Sequence, residues 1–434
     1  MSTFAGIDWG ATHHQVAAVD DAGVEVFNKR HAHTVDGLNG LVERLAGLPE
    51  LVGVAIERSD GIIVDRLHAA GFRVFPVSPR VSARARERHQ AAARKNDRFD
   101  AFVLAETLRT DGHRWRSLQP SSDLHAELRQ VVRHRRQAVE SQIMVEAQLR
   151  EALLAYHPAI VGLFSSVDRG ATLAFLRDYP TPRAASLVGE ARMARFCSRI
   201  GYSGRVPPAV LVERVRTNLL SGSDGNVAGH RFAALALADQ LELHNNQLRR
   251  YNRRIDELLS QHPDREIYLS FPATGRVIAA ELCAEIGEDR DRYPTPQVLL
   301  AEAGAAPVTL ASGKVQRVHI RWACNHRLRS TTTSWAHVLK RIDEPSRSRY
   351  LTKMERGATY HGALRSVSAS WLRVLWRCWQ DGTTYDPARM RPAEWWGSRD
   401  AFPGGSQVPG SSSAVTAGSV SRGVWSLAIE ASEK

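Results

Sequence analysis

Cysteine is scarce in this 434-residue chain: Cys197, Cys283, Cys324 and Cys378 lie far apart and none belongs to a Cys-x-x-Cys pair. Neither a zinc module of familiar spacing nor a disulfide framework is indicated, so reduced, structural thiols are expected. No uninterrupted apolar run reaches the length that spans a bilayer, and the first residues lack the charged-then-apolar pattern of an export leader. The expected setting is cytoplasmic, with no membrane partner. Acidic residues are also in deficit, with 46 Asp and Glu against 58 Lys and Arg, a net charge of +12. Such a surplus favours a polyanionic partner, most commonly nucleic acid. The length exceeds one ordinary core and suggests two or three domains. A composition of 43% hydrophobic and 24% charged residues is that of a globular protein with a sizeable core.

Against that background Phe4-Ala5-Gly6-Ile7-Asp8-Trp9-Gly10 stands out, because it puts one carboxylate inside an apolar run that reads as a central strand. An ionised acid there must meet a cation or hydrogen-bond donors, or its pKa must rise until it is neutral. The segment from His14 to Val19 and that from Val24 to Asn28 read as two more strands, separated by the turn Asp20-Asp21-Ala22-Gly23. Thr34 or Asp36 can cap a helix carrying Leu38, Leu41, Val42 and Leu45 at helical spacing. Leu51 to Ile56 is an apolar run closed by an acid, Glu57. A helix over Ile62, Ile63 and Leu67 stops at Gly71, and Phe72 to Val77 gives a fifth strand. The order strand, strand, strand, helix, strand, helix, strand, helix is that of an α/β ribonuclease-H-like domain, expected over residues 1–118.

The last helix of that domain carries Lys95-Asn96-Asp97-Arg98-Phe99-Asp100-Ala101, with two aspartates three residues apart on one helical face. Singly, these acids could be ordinary helix-start or strand-end residues. As a set, Asp8, Glu57, Asp97 and Asp100 would repel one another without cations, which makes one or two Mg²⁺ ions the natural centre. Such a site suits in-line displacement at phosphorus, with metals about 3.5 to 4 Å apart. A rival starts from the same strand, since Gly6-Ile7-Asp8-Trp9-Gly10-Ala11-Thr12 resembles the first phosphate loop of actin-like sugar kinases. The chain shows no second phosphate loop to go with it.

Residues 119–262 read as a helical, coiled-coil middle. One long helix runs from the caps Ser121, Ser122 and Asp123 to about Tyr156, with Arg133, Arg135 and Arg136 either touching phosphates or forming a solvated face. A second carries Ala234, Leu237, Leu241, His244, Leu248, Tyr251, Ile255 and Leu258 at alternating spacings of three and four. That seam can pair within the chain or between chains.

Residues 263–390 read as a mainly α C-terminal domain. The turn Phe271-Pro272-Ala273-Thr274-Gly275-Arg276 opens a helix whose N-terminus could hold a phosphate. Ala306-Pro307-Val308-Thr309-Leu310-Ala311-Ser312-Gly313-Lys314 places Ser312 in a loop ahead of a basic segment, and Tyr350 to Trp379 reads as core. Lys95 and Arg98 beside the acids, with Lys314, Arg317, Arg321, Arg327 and Arg329 near the serine, are the expected nucleic-acid contacts. Residues 391–434 are expected to form a flexible tail.

Taken together, Gly6-Ile7-Asp8, Ile56-Glu57, Lys95 to Ala101, Ala306-Pro307, Ser312-Gly313-Lys314 and Ala323-Cys324-Asn325-His326-Arg327-Leu328-Arg329 make a pattern. Over roughly residues 4–387 the chain resembles the DEDD-type transposases of the IS-one-ten insertion-sequence family. These pair a RuvC-like N-terminal domain with a C-terminal transposase domain through a coiled-coil region. The resemblance implies that Asp8, Glu57, Asp97 and Asp100 bind Mg²⁺ and that Ser312 is a nucleophile making a transient covalent link to DNA. It further implies a nucleoid-associated homo-oligomer, dimer or tetramer, whose noncoding bridge RNA selects double-stranded donor and target DNA. The turn at 272–276 departs from the family's usual Pro-Gly-Ile-Gly-Pro. Two alternatives remain open: a RuvC-like nuclease that uses metal-activated water and leaves Ser312 incidental, and a nucleic-acid-binding scaffold without catalysis.

Overall fold

The computed structural model describes residues 1–89, 96–312 and 315–389, with only the backbone described within 310–318. The chain divides into two compact units, Met1–Ser122 and the residues from Asp123 onward. The expected tail therefore falls outside the described residues.

The first unit is built on five strands: β1 (Thr3–Trp9), β2 (His13–Asp20), β3 (Glu25–Ala32), β4 (Leu51–Ile56) and β5 (Val74–Pro76). Their spatial order is β3-β2-β1-β4-β5. The first three strands meander antiparallel, and β4 and β5 join β1 in parallel. Between strands run α1 (Val35–Ala46) and α2 (Ile62–Ala69), while α3 (Pro79–His89) and α4 (Asp97–Asp111) follow β5. This mixed sheet with its helices is consistent with a ribonuclease-H-like domain. The Thr34 hydroxyl accepts from the Gly37 amide at the start of α1, as the capping pattern predicts. The helix α3 was not separable in the sequence from the one that follows.

Alternation along the strands divides the core in two. Ala5, Ile7, Val54 and Ile56 face Leu38, Leu41, Leu45, Ile63 and Leu67 of α1 and α2. On the other face Ala55, Phe75 and Val77 meet Leu104 and Leu108 of α4. Gly6 points to this second face, where a Cβ would fall 2.3 Å from both the Ala101 carbonyl oxygen and the Ala105 amide nitrogen. Only glycine lets α4 lie this close on β1.

Among the described residues the second unit is helical apart from one antiparallel strand pair. Two long helices, α5 (Asp123–Tyr156) and α10 (Asp224–Gln261), flank four short ones, α6 (Gly170–Asp178), α7 (Pro182–Ser186), α8 (Glu190–Arg199) and α9 (Pro208–Thr217). Pairs linking Glu127 to Arg254, Arg135 to Asn252 and Gln142 to Asn245 show that α5 and α10 run antiparallel within one chain. Along this pair the seam expected on α10 is unevenly buried. On α10 the buried apolar positions are Ala234, Ala238 and Leu241 at one end and Ile255, Leu258 and Leu259 at the other, whereas His244, Leu248 and Tyr251 are only half-buried. On α5 the buried residues between Val132 and Leu149 are Gln142 and Glu146. Each end of the helix pair therefore belongs to a separate apolar core, and hydrogen bonds join the middle.

The C-terminal part continues with α11 (Arg265–Leu269), α12 (Gly275–Ile286), α13 (Pro296–Glu302), the antiparallel strands β6 (Val308–Ser312) and β7 (Val315–His319), then α14 (His326–Ile342), α15 (Glu344–Glu355) and α16 (Tyr360–Asp381). Its core holds Trp335, Trp371 and Trp379, as the Trp-rich stretch predicts. Their indole N–H groups donate to the Pro272 carbonyl, the Ser346 hydroxyl and the Asp264 carboxylate. Buried indoles need such partners, so these three bonds fix how α14 and α16 seat.

Candidate active site

Parallel pairing of Ile7 with Ile56 sets the next residues, Asp8 and Glu57, side by side at the carboxyl ends of adjacent strands. One step further, the Arg58 guanidinium lies over the Trp9 ring at 4.1 Å, closing the strand ends on the far side of the two acids. By alternation both carboxylates project to the α4 face of the sheet. The close seating of α4 at Gly6 brings Asp100, on its first turn, to the same corner.

The cation in this corner is Arg86, from α3. Its guanidinium donates to Asp100 Oδ1 at 2.9 Å, and Asp100 is only 5% exposed. That hydrogen bond, opposed by partial burial and supported by the charges of Asp100, Glu57 and Asp8, raises the Arg86 pKa above its ordinary value. One guanidinium thus feels acids from β1, from the end of β4 and from α4. Ser82, one turn earlier on α3, donates its hydroxyl to Glu57 Oε1. Asp97 begins α4 behind its Asn96 cap and is exposed, three residues from Asp100 on the same helical face.

The set fits a hard cation: every ligand atom offered is a carboxylate oxygen, and a positive group already stands among them. The carboxylates are spread around that group. Among the described residues, only His125, His262 and Cys283 bring three ligand atoms within 4.8 Å of one another. A metal held by Asp8, Glu57 and Asp100 would take the place of the Arg86 guanidinium.

Sequence reasoning missed Arg86 and Ser82. Nothing in the run Arg84-Ala85-Arg86-Glu87-Arg88 marks which arginine turns to the acids.

Other expected residues fall out differently. Lys95 and Lys314 lie outside the described residues, as does the Arg317 side chain. Arg98 pairs with Glu25 of β3 at 2.6 Å, an exposed bond that ties α4 to the sheet edge. Ser312 is the last residue of β6, opposite Val315, so its backbone belongs to a hairpin and not to the open loop expected. Val308 and Val315 are strand formers that carry the ladder up to it. Arg327 is exposed on the first turn of α14, and Arg329 and Arg321 are half-buried, with Arg329 donating to the Arg321 carbonyl. Arg133, Arg135 and Arg136 of α5 are neither a solvated face nor open to phosphates. Arg133 binds Glu285, Arg135 binds Asn252, and Arg136 binds Ser330 and the Arg327 carbonyl. The turn before α12 holds Ala273 at φ 60, a left-handed conformation uncommon for alanine.

Two stretches of the chain match known families. Residues 5–158 match a family model described as "Transposase", and residues 265–351 match one described as "Transposase IS116/IS110/IS902 family". A Streptomyces coelicolor protein named as a transposase for the mini-circle IS117 is 32% identical over 403 residues, 90% of this chain and 96% of its own. The 43.6 kDa protein of insertion element IS110 from the same organism is 26% identical, covering 89% of this chain and 96% of its own. The 42 kDa protein of insertion element IS900 from Mycobacterium paratuberculosis is also 26% identical, over 90% and 98%.

Proposed function

From the chain's membership of the IS116/IS110/IS902 transposase family, which makes it a DNA transposase, we propose that it cuts and rejoins DNA strands, with Asp8, Glu57, Asp97 and Asp100 as the acids that hold metal and Ser312 as nucleophile. The observation that carries this reading is the pairing that sets Asp8 and Glu57 side by side at adjacent strand ends, with Asp100, bonded to Arg86, on the first turn of α4 beside them. Asp97, exposed on the same face of α4, completes the acidic set. These four acids would hold Mg²⁺, which when bound supplies charge to stabilise the attacking and leaving oxygens of a phosphodiester displacement. The chain's own contribution is orientation: from α3, Ser82 holds Glu57 by a hydrogen bond and Arg86 holds Asp100.

In the exchange, the Ser312 oxygen forms a bond to phosphorus and gives up its proton. The phosphorus–oxygen bond to one deoxyribose breaks, and the released sugar oxygen takes a proton. A second strand's hydroxyl then reverses the step, so the phosphodiester is conserved without an external energy source. Arg321, Arg327 and Arg329, with Lys95, Arg98, Lys314 and Arg317, would hold phosphate oxygens of donor and target DNA. A noncoding bridge RNA pairing with both DNAs would supply sequence choice, and a homo-oligomer would bring two acid corners to one junction.

The deciding experiment is denaturing electrophoresis of the full chain after incubation with element-end DNA, its bridge RNA and Mg²⁺. A protein–DNA adduct lost in both Ser312→Ala and Asp8→Asn is expected. Cleavage without any adduct, undiminished in Ser312→Ala, would replace the serine reaction with hydrolysis by water.

A further inference from the structure

The second unit contains a cluster of ligating side chains that the acid chemistry does not use. His125 lies on the first turn of α5, His262 is the residue at which α10 ends, and Cys283 is on the last turn of α12. All three are buried. Far apart in sequence, they meet here: His125 Nδ1 is 3.4 Å from His262 Nε2, which is 3.5 Å from Cys283 Sγ. All three ligand atoms lie within 4.8 Å of one another.

Those separations have a chemical meaning. A tetrahedral zinc with bonds of about 2.0–2.1 Å to nitrogen and about 2.3 Å to sulfur spaces its ligands about 3.4 Å apart for nitrogen to nitrogen and about 3.6 Å for nitrogen to sulfur. Two edges of the triangle already have these lengths, and the third needs a shift of about 1 Å at most. Glu288, just past Gly287, where a φ of 93 ends α12, brings Oε1 to 3.9 Å from His262 Nε2. The other nearby acid, Asp264, is taken by Arg290 at 2.6 Å and by the Trp379 indole at 3.0 Å.

We infer that His125, His262, Cys283 and Glu288 form a structural zinc site that clamps the start of α5 and the end of α10 to α12. Two imidazoles and a thiolate select a borderline-soft ion, in contrast to the all-oxygen corner of the first unit. One thiolate and one carboxylate balance the two charges of the ion, so the buried assembly is neutral. In the structure the Asp264 amide donates to His262 Nδ1 at 3.1 Å and His125 has a backbone hydrogen bond with Ala284. Metal on His262 Nε2 moves the ring proton to Nδ1 and gives up the first of these hydrogen bonds in exchange for coordinate bonds from three helices.

The test uses the full chain with zinc alone as the probe, and elemental mass spectrometry after exhaustive dialysis. The expected result is about one zinc retained per chain, with affinity falling more than about tenfold in Cys283→Ser and in His262→Gln. Asp8→Asn should keep its zinc, which separates this site from the acid corner. Should either ligand variant fail to fold, the cobalt-substituted wild-type chain decides, since a thiolate-to-cobalt charge-transfer band with strong visible bands marks a four-coordinate sulfur-containing site. A wild-type chain that retains no zinc, zinc retained undiminished in folded Cys283→Ser, or a cobalt spectrum lacking the thiolate band would each overturn the assignment.

Discussion

Gly6 and Ala101 are in backbone contact across the sheet-to-helix interface: a methyl group on Gly6 would sit 2.3 Å from the Ala101 carbonyl oxygen. Neither β1 at the centre of the sheet nor the helix backbone can retreat without unseating the other. Gly6→Ala should therefore destabilise the protein by about 1–3 kcal/mol or more and displace Asp100 from Asp8, lowering strand exchange well beyond the loss of folded protein. Urea unfolding beside activity per folded molecule checks this. Full activity in a destabilised variant would detach the helix seating from the chemistry.

Arg86 is the hydrogen-bonded cation of the buried Asp100 and also feels the charges of Glu57 and Asp8. Arg86→Gln should lower stability in the presence of a chelator by on the order of 3 kcal/mol, because it leaves Asp100 buried without its cation. The same change should lower the Mg²⁺ concentration at which the protein regains stability, since the ion no longer competes with a guanidinium. Melting curves across a Mg²⁺ titration measure both. Equal Mg²⁺ midpoints for variant and wild type would show that Arg86 and metal do not share a place.

Acid should weaken the first unit through His14. Burial, then the charges of His33, His31 and His13, push its pKa from 6.5 down to about 4, and His14 Nε2 lies 2.8 Å from His33 Nδ1. Above pH 6.5 the ring is neutral folded or unfolded, with no penalty. Between pH 6.5 and about 4 the unfolded chain binds a proton that the native one does not, so stability falls with pH, by on the order of 2 kcal/mol at pH 5. Denaturant titrations at pH 7 and pH 5 should show this slope, and His14→Gln should flatten it.

In the second unit the ion pair to test is Arg133 with Glu285, joined at 3.0 Å. Burial pushes the Glu285 carboxyl up, yet the hydrogen bond and charge of Arg133, with Asn325, outweigh it and hold the group below the usual carboxylate range. Arg133→Leu leaves that acid buried alone and should cost about 3–5 kcal/mol, most of it recovered when Glu285→Leu is added. Urea midpoints of the single and double variants give the coupling directly. Additive losses would mean that the pair has no special dependence.

Much of the first unit was legible because β1 and β4 are apolar runs that meet acids at their carboxyl ends. Asp8 and Glu57 each follow an isoleucine, and the pairing of Ile7 with Ile56 turns that parallel pattern into adjacency. Arg86 was not legible, since a basic residue in an Arg-rich helix carries no periodic mark of the one partner it buries. The spacing of His244, Leu248 and Tyr251 suggested a seam, but Gln142 and Arg135 of α5 bond to Asn245 and Asn252 within it, and spacing on one helix cannot report what stands opposite. His125, His262 and Cys283 are joined only by the packing of three helices, so no local motif announces them. Ser312 was found by its motif and misplaced in local structure, because a short hairpin and a loop share the same turn residues.

The polar middle of the α5 and α10 pair has a mechanical consequence. Gln142 with Asn245 and Arg135 with Asn252 can trade each other for water at little loss, whereas the apolar ends of the same helices cannot. The pair is therefore joined less firmly at its middle than at its two apolar ends. Amide hydrogens near Asn245 should exchange sooner than those near Leu258, and any swing of one helical lobe against the other during strand exchange has its pivot there.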